Sequence, residues 1–241
     1  MSDLNVHIVP VLSDNYVYVI EGSEKKCAVI DPGEAQPVID FIEKNNLVPE
    51  MILITHHHGD HVGGVEALSD KYAPRIMGPA KSAGKLPGDV RGLSEGDNFT
   101  LFDCKVEILD TPGHTLDHIC YYIPSAKMLF AGDTLFSLGC GRVFEGTMDE
   151  MYHSLQKLAD LPDDIRLYCG HEYTLSNLNF ALSLAPGDEN LRSKKDEIES
   201  LRKKQTPTLP ASLGEEKQLN PFLTARNVEE FTERRRKKDA A

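Results

Sequence analysis

Between Thr55 and Gly64 the chain reads THHHGDHVGG, which places four histidines and an aspartate within the six positions from His56 to His61. Clustered imidazoles repel one another once protonated and lose hydration once buried, so something must compensate them. A bound cation does both jobs. If Met51 to Thr55 forms a strand, side chains beyond it alternate faces with a period of two. His56 and His58 then share a face, and His57 points away. Gly59 is expected to turn the chain sharply, bringing Asp60 and His61, at the start of a helix, back to the same locus. Gly63 and Gly64 leave room there for close approach.

Three more apolar runs end on the same design, TPGH at His114, AGD at Asp133 and YCGH at His171, each with a glycine before the donor. Residues at strand-end loops of a rigid scaffold are well placed to converge. The set comprises five imidazoles and two carboxylates: His56, His58, Asp60, His61, His114, Asp133 and His171. A catalytic zinc takes about three protein ligands and keeps one position open. The set therefore suits two divalent ions sharing one carboxylate. Nitrogen and oxygen donors point to zinc first, with iron or manganese also compatible. His114 or His171 alone would read as a hydrogen-bonded histidine. His7, His118 and His153 lack this context, although His118 is suited to supporting a ligand.

The elements that must position these residues are legible as apolar, β-branched runs closed by turn residues. VHIVPVL, NYVYVI, KCAVIDPG, MILITH, KVEILDTPGH, HICYYI, KMLFAGD and RLYCGH read as strands. PVIDFIEKNN, VGGVEALSDKY and MDEMYHSLQKLADLP carry helical spacing. Two groups of strands with interposed helices predict stacked sheets covered by helices. After about Thr174 the texture changes to helices alone, over 177–185 and 189–205. A Pro-rich stretch without helix, TPTLPASLGEEKQLNPFL, follows, and a last helix carries EEFTERRRKKD. The expected domains are 1–174 and 175–241.

The net charge of −12 is uneven: residues 1–175 carry −14, and the chain from Ser176 carries +2. So acidic a body argues against nucleic acid as a partner. No apolar run approaches the ~20 residues that span a bilayer. The N-terminus lacks the basic and apolar regions of a signal peptide. A cytoplasmic protein without membrane attachment is expected, or one imported after loss of a presequence. The cysteines, Cys27, Cys104, Cys120, Cys140 and Cys169, are scattered and form no CxxC pair, as for buried thiols in a reducing compartment.

THHHGDHVGG, TPGHT, AGDTLF and GHEYT together resemble the motif series of the metallo-β-lactamase fold superfamily, and within it the glyoxalase II (hydroxyacylglutathione hydrolase) family. GCGRVFEGTMDEM, PTLPASLGEEKQLNPF and RRRKKD extend the resemblance over nearly the whole chain. It implies a four-layer αββα sandwich followed by a C-terminal helical domain that binds glutathione. It also implies that His56, His58 and His114 hold one metal, that Asp60, His61 and His171 hold the second, and that Asp133 bridges. Implied substrate contacts are Arg142, Val143 and Phe144, His171 with Tyr173, and Arg235 with Lys238. Family members often carry Lys and Tyr where this chain has Arg142 and Phe144. Arg keeps the charge on a planar fork, whereas Phe144 has no hydroxyl to donate.

The implied reaction is hydrolysis of an S-(2-hydroxyacyl)glutathione, such as lactoylglutathione, to glutathione and a 2-hydroxy acid, as in methylglyoxal detoxification. Two cations lower the pKa of a shared water from ~16 to about 7, supplying a hydroxide that Asp60 would help orient. A metal also stabilises the developing oxyanion. The thiolate leaves without a strong general acid, because its thiol has a pKa near ~8.5. A monomer acting on a small-molecule thioester is expected. Rival readings fit less well. A zinc β-lactamase commonly has Cys where Asp133 stands, and nuclease relatives should show basic surfaces. A mononuclear iron sulfur dioxygenase needs fewer ligands, and a closed structural metal module would be Cys-rich.

Overall fold

Near-continuous apolar, β-branched runs such as NYVYVI and KCAVI produce strands buried on both faces, the pattern of a sheet covered on each side. The structure, a computed structural model, describes residues 4–241. Its chain divides into two units: residues up to Asp110 with Asp117–Lys127, and Thr111–Leu116 with Met128–Ala241.

In the first unit, β1 (Asn5–Val11), β2 (Asn15–Glu21) and β3 (Lys26–Ile30) run antiparallel. Helix α1 (Ala35–Asn45) leads to β4 (Val48–Leu53), which lies parallel to β3. After the one-turn α2 (Gly59–Val62) and α3 (Val65–Tyr72), β5 (Arg75–Pro79) and β6 (Val90–Leu93) extend the sheet in parallel. The order is β1-β2-β3-β4-β5-β6. Val38 and Ile42 of α1 and Val65 and Leu68 of α3 are buried against Val29, Ile52 and Ile54. Each such aliphatic side chain contributes roughly 1.5–3 kcal/mol through burial. Asn46, at φ 53°, closes α1 in the left-handed conformation, which Asn tolerates better than most residues.

The unit is completed by the antiparallel strands β7 (Asn98–Leu101), β8 (Cys104–Asp110) and β9 (Ile119–Ile123). Strand β9 is tied to the end of β4. Tyr121 donates its hydroxyl to Ile54 O at 2.7 Å, and Ile119 N donates to Thr55 O at 2.9 Å.

In the second unit β10 (Met128–Gly132) is followed by a small hairpin, β11 (Leu135–Phe136) and β12 (Gly139–Cys140). Helix α4 (Met148–Ala159) starts at a capping box: Glu150 N donates to Thr147 Oγ1 at 3.1 Å, and Thr147 N donates to Glu150 Oε2 at 2.8 Å. Strand β13 (Arg166–Cys169) lies parallel to β10. Helices α5 (Thr174–Leu184) and α6 (Glu189–Lys203) follow, and their Leu178, Ala181, Leu191 and Ile198 pack with Leu138 of the hairpin. The C-terminal region is helical, with two corrections to the expectation. A short strand β14 (Ala211–Ser212) pairs antiparallel with β13. The Pro-rich stretch also contains a helix, α7 (Leu213–Leu219), whose first turn is capped by Ser212 Oγ accepting from Glu215 N. Ser-x-x-Glu is a start signal, but prolines on either side and Gly214 obscured it. Helix α8 (Val228–Asp239) ends the fold, with Phe231 fully buried.

Glu216 of α7 ties this region to the β11–β12 turn. Its carboxylate accepts from Leu138 N at 2.7 Å, Ser137 Oγ at 3.1 Å and Asn220 Nδ2 at 2.9 Å. Burial pushes its pKa up to about 7, against the lowering effect of those hydrogen bonds. The folded chain therefore holds this proton more tightly than the unfolded chain, where the carboxyl titrates near 4.5. The resulting stability is complete below that value and is lost as pH rises through about 7. Glu216→Gln cannot titrate. Its melting temperature relative to the parent should climb by a few degrees between those pH values, read by scanning fluorimetry. A difference independent of pH would show that folding leaves the Glu216 pKa where the unfolded chain has it.

Candidate metal centre

Each unit carries its own group of candidate ligands. In the first, β4 continues through Ile54 and Thr55 to His56, and Asp31, just after β3, organises the turn. Asp31 accepts from Thr55 N and from Thr55 Oγ1, each at 2.7 Å, and its Oδ2 lies 3.1 Å from His61 Nδ1. Since Thr55 commits its only hydroxyl proton to Asp31, Thr55 Oγ1 accepts from His56 Nδ1 at 3.0 Å. Both rings are thus protonated at Nδ1 and offer the Nε2 lone pair, the tautomer a metal requires. The His56 ring centroid lies 4.7 Å from that of His58 and 4.2 Å from that of His61.

Asp60 is held by Asn15, whose Nδ2 donates to its Oδ2 at 2.8 Å. Gly33 lets the Asp60 backbone pass close beside it, since a Cβ there would lie 1.9 Å from Asp60 O. The expected close approach at Gly63 and Gly64 is present, against the backbone of Gly33 and Pro32 respectively. The expectation for Gly59 is corrected. It begins α2 outside the left-handed region, and a Cβ there would meet nothing within 4 Å. The turn comes from the start of the helix, with His61 N donating to His58 O at 2.9 Å.

His57 turns to Asp117, with Nδ1 2.9 Å from Oδ1, and the other oxygen of Asp117 accepts from the Ser82 hydroxyl. His118, fully buried, stacks on His56 at 4.9 Å. Asn15, Asp31 and Asp117 were not singled out in the sequence. Asp31 was the most accessible of them, because IDPG ends an apolar run on a carboxylate much as AGD does.

In the second unit His114, Asp133 and His171 are all buried. Asp133 Oδ2 lies 3.4 Å from His114 Nε2 and 3.2 Å from His171 Nε2. The backbone carbonyl of Arg142 accepts from His114 Nδ1 at 2.8 Å, again leaving Nε2 as the donor to a cation. A Cβ at Gly141 would lie 1.9 Å from Asp133 O, so only glycine lets the chain return beside this carboxylate. A buried carboxylate between imidazole lone pairs is costly unless a cation or proton is shared. In both units, the donor chemistry fits a divalent metal.

Beside this group is a groove of about 270 Å³ lined in part by Phe136, Arg142, Tyr173, Arg235, Lys238 and Asp239. Tyr173 stacks on His171 at 4.7 Å with rings nearly parallel, and Phe136 meets both edge-on. Phe144 is 61% exposed, with its ring 5.3 Å from His114 and 5.7 Å from the Arg142 guanidinium. Val143 between them is half-buried. Lys238 donates from Nζ to Ser176 O at 3.1 Å and Oγ at 2.9 Å. Burial, helped by the charge of Arg235, holds its ammonium below the usual lysine range. Arg235 is only 5% exposed and donates from Nη1 to Cys140 O at 2.9 Å. Burial pushes the Cys140 thiol up to about 11, so it is no nucleophile. All five cysteines are buried, and none forms a disulfide.

A family model described as the metallo-beta-lactamase superfamily matches residues 11–171, and one described as the hydroxyacylglutathione hydrolase C-terminus matches residues 172–241. A hydroxyacylglutathione hydrolase of Rhodopseudomonas palustris is 49% identical, over 92% of this chain and 87% of its own. One of Vibrio parahaemolyticus is 46% identical, over 93% of this chain and 88% of its own. The crystal structure of ETHE1 from Myxococcus xanthus has a TM-score of 0.73 at 25% identity, covering 97% of this chain and 89% of that one. The fold is of the metallo-β-lactamase type, with mixed sheets, helices and a helical C-terminal region.

Proposed function

The chain belongs to the hydroxyacylglutathione hydrolases of the metallo-β-lactamase superfamily, and on that premise we propose how its residues share the work. The enzyme is a thioester hydrolase that converts S-(2-hydroxyacyl)glutathione to glutathione and a 2-hydroxy acid. It binds divalent metal through its histidine and aspartate ligands. We assign His56, His58 and His114 to one ion, Asp60, His61 and His171 to a second, and Asp133 to both. Zinc is the assigned metal. The single observation that carries this reading is the orientation of His56, His61 and His114, each fixed through Nδ1 by Thr55, Asp31 or the Arg142 carbonyl.

When bound, the ions would lower the pKa of a water to about 7 and polarise the thioester carbonyl. The chain does the rest. Asn15 holds the Asp60 carboxylate in one rotamer, so that it can orient the attacking water. Arg142 and Lys238 supply cations for the carboxylates of glutathione, against an acidic main body. Tyr173, braced on His171, offers a hydroxyl and a flat wall, and Phe144 offers apolar contact without a hydroxyl. Residues 1–174 form the proposed hydrolase domain and 175–241 the glutathione-binding one, close to where the two family models meet. Among the described residues no helix is long and apolar enough to cross a membrane. The proposed working form is a cytoplasmic monomer without nucleic-acid partners, which light scattering and fractionation test.

The decisive assay supplies lactoylglutathione to the purified protein, with thiol release followed by Ellman's reagent and metal counted per chain by mass spectrometry. Prompt thiol release with two zinc ions per chain is expected. Oxygen uptake with glutathione persulfide, without thioester cleavage, would replace the hydrolase with a mononuclear iron oxygenase.

A further inference from the structure

Asp239 has no role in the reading above, yet it sits at the cationic end of the groove. It is the last residue of α8, directly after Arg235, Arg236, Lys237 and Lys238. A carboxylate at a helix C-terminus faces the negative end of the dipole, which works against the i,i+4 pairing of Asp239 with Arg235. Its Oδ1 lies 3.1 Å from Arg235 Nε, 3.0 Å from Arg235 Nη2 and 3.5 Å from Arg142 Nε. One oxygen thus stands between two guanidinia. The contact with Arg235 is short and buried. The contact with Arg142 is longer, and that side chain is 55% exposed, so it is the one that can be exchanged.

We propose that Asp239 is an internal stand-in for a substrate carboxylate, and that a carboxylate of glutathione must compete with it for Arg142. This rests on the glutathione-thioester reading. The chemistry gives the competition a purpose. Product glutathione keeps both carboxylates of the substrate, so a groove with unopposed cations would hold product as firmly as substrate. A fixed negative charge weakens both complexes and speeds product departure. Asp239 therefore tunes affinity for anionic thioesters and is indifferent to neutral ones.

Asp239→Asn tests this, because the amide oxygen still accepts from Arg235 while the charge is gone. At low ionic strength the KM for lactoylglutathione and the Kd for S-methylglutathione, measured by calorimetry, should each fall about three- to fivefold. The gain should shrink in high salt. The KM for a lactoyl thioester of N-acetylcysteamine, which has no carboxylate, should stay the same. In an Arg142→Gln background the gain should disappear. A rise or no change in both KM and Kd would overturn the proposal and make Asp239 a support for Arg235. If the parent cleaves the neutral thioester but not lactoylglutathione, the substrate reading fails instead, and the two failures are distinct.

Discussion

Asp133→Ala is expected to abolish thiol release from lactoylglutathione, lowering kcat on the order of a thousandfold, and to strip metal from the chain. Its Oδ2 lies 3.2–3.4 Å from two imidazole Nε2 atoms, and the group is buried. Alanine would leave those lone pairs in a low-dielectric pocket with no carboxylate to balance a cation. His57→Ala makes the contrasting case. That ring spends Nδ1 on Asp117, so its loss leaves the orienting bonds of His56 and His61 in place. Metal content should remain at the parent value and activity should fall roughly tenfold at most. Mass spectrometry of desalted protein, paired with the thiol assay, reads both variants. Equal metal loss from the two would sink the distinction drawn from strand alternation.

The candidate donors were legible in the sequence because their chemistry is local. Alternation after β4 separates His57 from His56 and His58 within three residues, and Asp60, His114, Asp133 and His171 are each marked by a preceding glycine. The supports for those donors were not legible, because they come from far along the chain. Asp31 reaches Thr55 and His61 across a parallel strand pair, and Asn15 reaches Asp60 from the other side of the sheet order. Strands were found where apolar runs were long, as in β2 and β9. Strands β5, β6 and β7 escaped notice because RIMGP, VRGL and NFTL are short or broken by Gly and Pro, and ladder partners form them rather than propensity. The tail misled for a similar reason. Helix α7 is held by Glu216 and Asn220 reaching the β11–β12 hairpin, contacts some eighty residues apart in sequence.

Arg235 and Lys238 read as twin substrate cations in RRRKKD, and the structure predicts that they will fail differently. The guanidinium of Arg235 is buried over the Phe222 ring at 5.0 Å, with Cys140 O and Asp239 as acceptors. Arg235→Ala leaves a largely buried carboxylate and a buried carbonyl without their donor, a loss of roughly 3 kcal/mol. For a chain of this size that lowers the melting temperature on the order of 10 °C. KM should rise as well, because the hairpin wall bearing Cys140 loses its anchor. Lys238 is half-buried, and its ammonium donates to Ser176 and lies over the face of Phe180. Lys238→Ala should raise KM about tenfold, equivalent to one charged hydrogen bond, with little change in melting temperature or metal content. Deleting all of α8 is a poorer experiment, since Phe231 is fully buried and its removal would open the core between α4 and α8. If Arg235→Ala melts like the parent and shifts KM alone, the guanidinium faces the substrate and its burial is not what holds the helix down.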